Sequence, residues 1–291
     1  SDIVATIQAE QDRIIRADMG GVLVVQGGPG TGKTAVALHR AAYLLYTYRR
    51  QLTTRGVLVV GPNSTFLRYI GQVLPSLGET GVLLATVGEL MPGLEAVGTD
   101  TPEAAEVKGR IDMADVLAQA VRDRQIVPDD VMRIDAEDND VLTLDRRTAE
   151  RAREKARATL KPHNVARRVF VDTLLDALAE QAVSRLESSV LDDVPEIPLT
   201  EDEADDGVLL DERDYATIRQ ELTEDRAVRA ALHTLWPKLT PQELLADLLT
   251  DADRLASAAD GVLPAADRDT LLRRPGSWWT PGDVPLLDEL A

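Results

Sequence analysis

Gly27-Gly28-Pro29-Gly30-Thr31-Gly32-Lys33-Thr34 is the stretch whose reading decides the fold. It fits the pattern G-x-x-x-x-G-K-[ST]. Glycines let a backbone curl until successive N–H groups converge on one anion. A helix that starts near Lys33 aims its positive end at the same point. Lys33 is then expected to reach the β- and γ-phosphates of a nucleoside triphosphate, and the Thr34 hydroxyl to ligate Mg2+. The expected nucleotide contacts are Gly28, Pro29, Gly30, Thr31, Gly32, Lys33 and Thr34. A glycine-rich turn that binds nothing is the plainer alternative. Context favours the phosphate reading, because an apolar run precedes the loop and a helical pattern follows it.

Outward from the loop, Val22–Val25 reads as a short strand between Gly20-Gly21 and Gly27-Gly28. Helices are expected over 4–17, from Lys33 to about Arg49, and over 64–77. Further strands are expected at Val57–Val60 and Val82–Thr86. Short apolar strands separated by helices imply a parallel sheet covered on both faces. Near residue 94 the pattern changes. Charged helices are expected near 110–122, 147–159, 162–187, 212–235 and 241–258, and strand signals fade. Val284–Leu287 then reads as a strand leading into Asp288-Glu289. The expected class is α/β: a P-loop (RecA-like) parallel sheet with helices on both faces, interrupted by a mainly α-helical insertion. The expected divisions are 1–93 for the first part of the P-loop domain, 94–275 for the insertion and 276–291 for the return.

Composition removes several chemistries. The 291 residues include no cysteine, which excludes disulfides, thiolate zinc sites and cysteine nucleophiles. His39, His163 and His233 are scattered and show no metal-ligand spacing. No apolar run approaches the roughly 20 residues of a membrane helix. No basic and apolar signal region opens the chain, so a cytoplasmic setting is expected. The net charge of −18 is uneven: residues 1–93 carry +2, residues 94–282 carry −17, and the last nine carry −3. A segment of −17 repels nucleic acid.

The Asp288-Glu289 pair suggests a second part of the site. In P-loop enzymes an Asp at a strand end helps hold Mg2+, usually through water, and a following Glu positions and deprotonates the attacking water. Read as a helix start, the same pair is only solvated charge. Pro285 counts against a central strand, since it has no N–H.

At these residues the chain resembles superfamily 1 helicase-like motors of the UvrD/Rep type. Gln11 lies sixteen residues before Gly27, the spacing of that family's adenine-reading glutamine, with Gln8 as its competitor. The loop is followed by His39-Arg40 and Ala42-Tyr43-Leu44-Leu45 as in those motors. A glutamine amide both donates to and accepts from the adenine edge, which would select ATP. The segments Thr6–Gln11, Val59–Asn63, Leu235–Pro241 and Trp279–Glu289 look like the actinobacterial HelD branch, and this similarity covers nearly the whole chain. The resemblance implies an ATP hydrolase that binds RNA polymerase and releases it from nucleic acid, with Lys33 and Glu289 catalytic and Thr34 and Asp288 at the metal. It also implies that an insertion into the first motor domain enters the polymerase channels.

Two departures weaken strand unwinding. Gly61-Pro62-Asn63-Ser64 and Thr86-Val87-Gly88 lack the aromatics with which UvrD-type helicases contact single-stranded DNA. The chain also ends two residues past Glu289, so it reads as a fragment lacking the second motor domain. Weak nucleotide binding and little or no hydrolysis are therefore expected of it. A UvrD/Rep-type DNA helicase fragment is the alternative, and an acidic docking module with an empty loop is a second. Within the insertion, Asp192–Asp211 and Asp135–Asp140 are the acidic stretches expected to steer toward a basic polymerase surface; simple solubilisation is the bland alternative. Arg146–Arg157 reads as a solvated helix face with Glu150 and Glu154 as partners. Trp278-Trp279 read as packing residues, and His163-Asn164 as a helix start.

Overall fold

The computed structural model describes residues 2–73, 82–137, 141–193 and 211–291, and the chain is mixed α/β. It divides into two compact units. The first holds Ser1–Ala105 with Gly276–Asp288, and the second Glu106–Pro275 with Glu289–Ala291. Most of the acidic stretch Asp192–Asp211 lies outside the described residues, as do Asp138, Asn139 and Asp140.

The first unit opens with α1 (Asp2–Ile15), α2 (Lys33–Thr47) and α3 (Arg49–Arg55). Then follow β1 (Val57–Val60), α4 (Ser64–Val73), β2 (Val82–Ala85) and α5 (Pro102–Lys108), which runs into the second unit. β1 and β2 pair in parallel, with Val57 opposite Val82 and Val60 opposite Ala85. α4 is the crossover that a parallel pair requires. Leu38 of α2 and Ile70 of α4 form the buried centre, with Phe66, Val73, Val82 and Leu84 packed around them. This cluster fixes α2 against the strand pair.

The Val22–Val25 segment forms no strand. Among the described residues it pairs with neither β1 nor β2, and Val22 is 94% exposed. Its apolar residues are sufficient for a strand, but among the described residues no strand is paired with it.

In the second unit, α6 (Met113–Asp123) is followed by the antiparallel strands β3 (Val131–Asp135) and β4 (Val141–Asp145). Then come α7 (Arg146–Arg157), α8 (His163–Asp193), α9 (Glu212–Glu224) and α10 (Arg226–Leu235). α11 (Pro241–Thr250), α12 (Ala252–Ala258) and α13 (Ala265–Leu271) complete it. The hairpin is a feature that the sequence reading did not place within a mainly α-helical insertion. Ile134, Leu142 and Leu144 enter the core while alternate positions face outward, the period of a half-buried strand. Ala149, Ala152 and Ala156 line one face of α7, and their small side chains let α7 lie closely along α8.

Two helices expected to be continuous are broken by aspartates. Asp225 caps α10, accepting from the Val228 N–H at 2.9 Å, and also accepts from the Glu137 N–H at 2.8 Å. Burial pushes the Asp225 carboxyl up, but the N–H groups of Glu137, Val228 and Ala227 outweigh it and hold the carboxyl below its ordinary range. Asp251 likewise caps α12 through Asp253 and Arg254. An aspartate oxygen competes with the helix ladder for nearby N–H groups, so it restarts a helix rather than continuing it.

A polar chain runs from the surface of this unit into its core. The Arg157 Nε donates to Gln125 Oε1 at 2.7 Å, which orients the amide. Gln125 Nε2 then donates to His163 Nδ1 at 3.1 Å, and His163 Nε2 donates to the Pro237 carbonyl at 2.8 Å. The imidazole also lies against Trp236, whose ring is fully buried next to Phe170. Asn164 exchanges two hydrogen bonds with the backbone of Leu239, so the first turn of α8 is fastened to residues 237–239.

Burial lowers the pKa of His163; the Pro237 carbonyl acts in the opposite direction and does not prevail. A lowered pKa stabilises the fold above the ordinary histidine value of about 6.5. That contribution is lost as pH falls through the window between 6.5 and the folded value. In urea unfolding, the stability gap between the natural chain and His163→Gln should be wider at pH 7.5 than at pH 5.5. A gap that does not change with pH would show that His163 does not titrate in this window.

Candidate functional site

The Gly27–Thr34 loop is held in shape by its own residues. Gly30 and Gly32 have φ of +77° and +84°, the left-handed region that a β-carbon disfavours. The Thr31 hydroxyl donates to the Gly28 carbonyl at 2.8 Å. A β-carbon at Gly27 would come within 2.6 Å of that hydroxyl oxygen, so the loop is closed too tightly there for a side chain. Lys33 folds back, and its ammonium donates to the carbonyls of Gly27 at 2.6 Å and Gly28 at 2.7 Å. The cation is therefore placed over the loop.

Gly32 is the N-cap of α2 and has no side chain to satisfy the first-turn N–H groups. The first turn of α2 also carries no acidic residue. By contrast, α7, α9, α10, α11 and α12 all begin with an Asp or Thr whose oxygen accepts from the first turn. The positive end of α2 is thus left for an external acceptor. The Thr34 side chain is exposed and makes no hydrogen bond among the described residues. Thr34, Leu38, His39, Phe66 and Tyr69 line a cavity of about 390 Å³ beside the first turns of α2.

Gln11 reaches the same loop. Its Nε2 donates to the Thr31 carbonyl at 3.5 Å and lies 3.5 Å from where a β-carbon of Gly32 would be. Of the two candidate glutamines on α1, Gln11 is the one in this contact. Arg40 keeps α1 in place. Its guanidinium donates to the carbonyls of Ile14, Ile15, Ala17 and Asp18 at 2.6–3.2 Å. These are carbonyls at the end of α1, where a helix lacks internal donors and favours a cation. Arg16 adds a cation–π contact, 5.7 Å from the centre of the Tyr43 ring. Sequence spacing pointed to Gln11; the clamp by Arg40 was missed. The signal for it was a basic residue two turns into α2, facing the end of α1.

Asp288 and Glu289 are not at a strand end. Val284–Leu287 belongs to a helix, α14 (Asp283–Glu289). Thr280-Pro281-Gly282-Asp283 starts it: the buried Asp283 carboxylate accepts from the Thr280 N–H at 2.9 Å, and Pro281 and Pro285 fall in the opening residues, where no N–H is needed. Asp283, Val284, Leu286 and Leu287 are buried, while Asp288 and Glu289 are exposed. A run of four apolar residues does not distinguish a strand from a buried helix face. No hydrogen bond or ion pair joins Asp288 to the Gly27–Thr34 loop among the described residues.

The segment before α14 is stitched to residues 98–100. The Gly98 N–H donates to the Trp279 carbonyl at 2.8 Å, and the Thr280 hydroxyl donates to Asp100 at 2.6 Å. A β-carbon on Gly98 would come within 2.8 Å of the Trp278 carbonyl, so the backbone approach requires glycine. Trp278 itself is exposed.

Among known proteins, no family model matches the chain. No curated protein matches it either.

Replacing Arg40 with Met should release the end of α1 without disturbing the α2–α4 core. In hydrogen exchange, α1 amides should exchange at least roughly tenfold faster, with those of α4 unchanged, the scale of losing one charge-assisted hydrogen bond. Unchanged protection of α1 would mean that other contacts hold it.

Proposed function

We propose that this chain is the ATP-binding part of a HelD-like motor ATPase that binds RNA polymerase and helps release it from nucleic acid. One observation carries the nucleotide half of this reading. The uncapped, acid-free start of α2 lies under a left-handed glycine loop that also holds the Lys33 ammonium. Such a start presents free N–H donors and a positive dipole end to an anion. The Gln11 amide at the edge of the loop is suited to an adenine, which it would contact by donating and accepting.

Lys33 would move from the Gly27 and Gly28 carbonyls onto the β- and γ-phosphates. Its present partners are neutral oxygens, which bind an ammonium less strongly than phosphate oxygens do. The free Thr34 hydroxyl fits a magnesium ligand. When bound, Mg2+ would offset phosphate charge as the terminal phosphate is transferred. The metal role of Asp288 and the water-activating role of Glu289 rest on the HelD resemblance alone, now that both residues stand on α14.

A RecA-like sheet is part of the same proposal. The parallel β1–β2 pair leaves Leu58, Val60 and Leu83 exposed, and Val22 and Val24 are exposed as well. Parallel strands are ordinarily buried on both faces. These residues are the surface that a larger parallel sheet would cover, with Val22–Val25 as one of its strands. For the polymerase half, support comes from the charge of −17 over residues 94–282, suited to a basic channel.

Mg-ATP titrated into the natural chain and into Lys33→Ala should show saturable binding that weakens at least roughly tenfold in the variant, the loss of one charge-assisted contact. A folded natural chain with no response at millimolar Mg-ATP would end the motor reading. Pull-down of RNA polymerase by the same two proteins tests the partner separately.

A further inference from the structure

Arg122, Arg153 and Arg157 converge in the second unit, at the end of α6 and along one face of α7. With Gln119, Asp123 and Gln125 they line a cavity of about 450 Å³. Neutral oxygens hold Arg153 and Arg157, while Arg122 offers its backbone carbonyl. Arg153 Nη1 donates to the Gln125 carbonyl at 3.2 Å, and Arg157 donates to Gln125 Oε1 at 2.7 Å and to the Arg122 carbonyl at 3.3 Å. No carboxylate pairs with any of the three among the described residues. Asp123, the one acid in the lining, accepts from Gln119 at 2.6 Å and from Ser257 at 3.0 Å.

The Arg153 Nε is buried and has no hydrogen-bond partner. An unmet buried donor on a charged group is costly, and the cost falls when an anion reaches it. Burial, then the neighbouring Arg153 and Arg122 charges, lowers the pKa of Arg157. Three like charges lining one cavity, two of them held by neutral acceptors, are poor for stability alone in a chain with carboxylates in excess. Guanidinium forks match phosphate oxygens in pairs.

We infer that Arg122, Arg153 and Arg157 form a second anion site that takes a phosphate group. Gln125 is its positioning residue, since it holds both Arg153 and Arg157 while its amide is fixed by His163. This site lies on α6 and α7, apart from the Gly27–Thr34 loop in sequence and in unit, and does not depend on nucleotide binding there.

The experiment uses the full chain carrying Lys33→Ala, so that the glycine loop contributes little. Pyrophosphate and a single-stranded twelve-nucleotide oligomer are titrated separately at several salt concentrations. Binding of at least one is expected, and it should weaken at least roughly tenfold in Arg153→Gln/Arg157→Gln, about one charge-assisted contact. Arg226→Gln/Arg229→Gln, on a different basic surface lined also by Lys238, should leave it unchanged. If the first double variant does not fold, Arg122→Gln, on an exposed side chain, carries the same test. Pyrophosphate binding with no gain for the oligomer identifies a free phosphorylated compound. Tighter oligomer binding with a steep salt slope identifies strand phosphates. Absence of binding by both probes overturns the inference, as does an equal loss in Arg226→Gln/Arg229→Gln or no loss in the arginine-site variants.

Discussion

The first turn of α2 has backbone donors and no side chain to receive them. A helix start exposes up to four N–H groups, and at α7, α9, α10, α11 and α12 an Asp or Thr oxygen meets some of them. At Gly32 nothing does. The same glycine must be left-handed to turn the loop into the helix, so the residue that shapes the loop is also one that cannot cap it. Loop geometry and the uncapped helix start therefore arise from one requirement. The remaining parts of the first unit serve to hold that helix start: the Leu38–Ile70 contact fixes α2 from below, and Arg40 ties α1 to it from the side.

Much of this was legible in the sequence where local chemistry decided the outcome. Glycines around a Lys-Thr pair specify a turn and a helix start with little help from the rest of the chain. β1 and β2 were legible because each is a short apolar run bounded by turn residues. The errors lie where a tertiary partner was decisive. Val22–Val25 has strand composition but no neighbour to pair with among the described residues. Val284–Leu287 has the same apolar character, yet Thr280 and Asp283 nucleate a helix there. The β3–β4 hairpin was hidden by its charges: Arg133, Asp135 and Asp145 occupy the outward positions of alternating strands. The breaks at Asp225 and Asp251 were visible only as single acids within helical patterns, and both act as caps.

Charge is organised against the average of the chain. Many acids lie on helix surfaces, where ion pairs such as Arg146–Glu150 and Arg219–Asp176 contribute little each. The arginines that matter structurally are the ones bound to carbonyls. Arg40 meets four at the end of α1, and Arg167 donates to the Trp236 carbonyl at 2.6 Å. A carbonyl partner leaves the positive charge uncompensated. Such arginines keep their attraction for an outside anion, whereas those paired with carboxylates have spent it.

That distinction runs along one face of α7. At its start Arg146 pairs with Glu150, the expected helix-surface pair. Further along, Arg153 and Arg157 turn toward Gln125, and Gln125 passes the constraint through His163 to Pro237 and hence to the buried Trp236. The Arg153 and Arg157 guanidiniums are therefore tied through Gln125 to the packed interior. Burying the glutamine costs desolvation, which its hydrogen bonds to Arg157 and His163 offset. The result is a cationic surface with fixed geometry, and fixed geometry is what separates recognition of a phosphate from general attraction to negative charge.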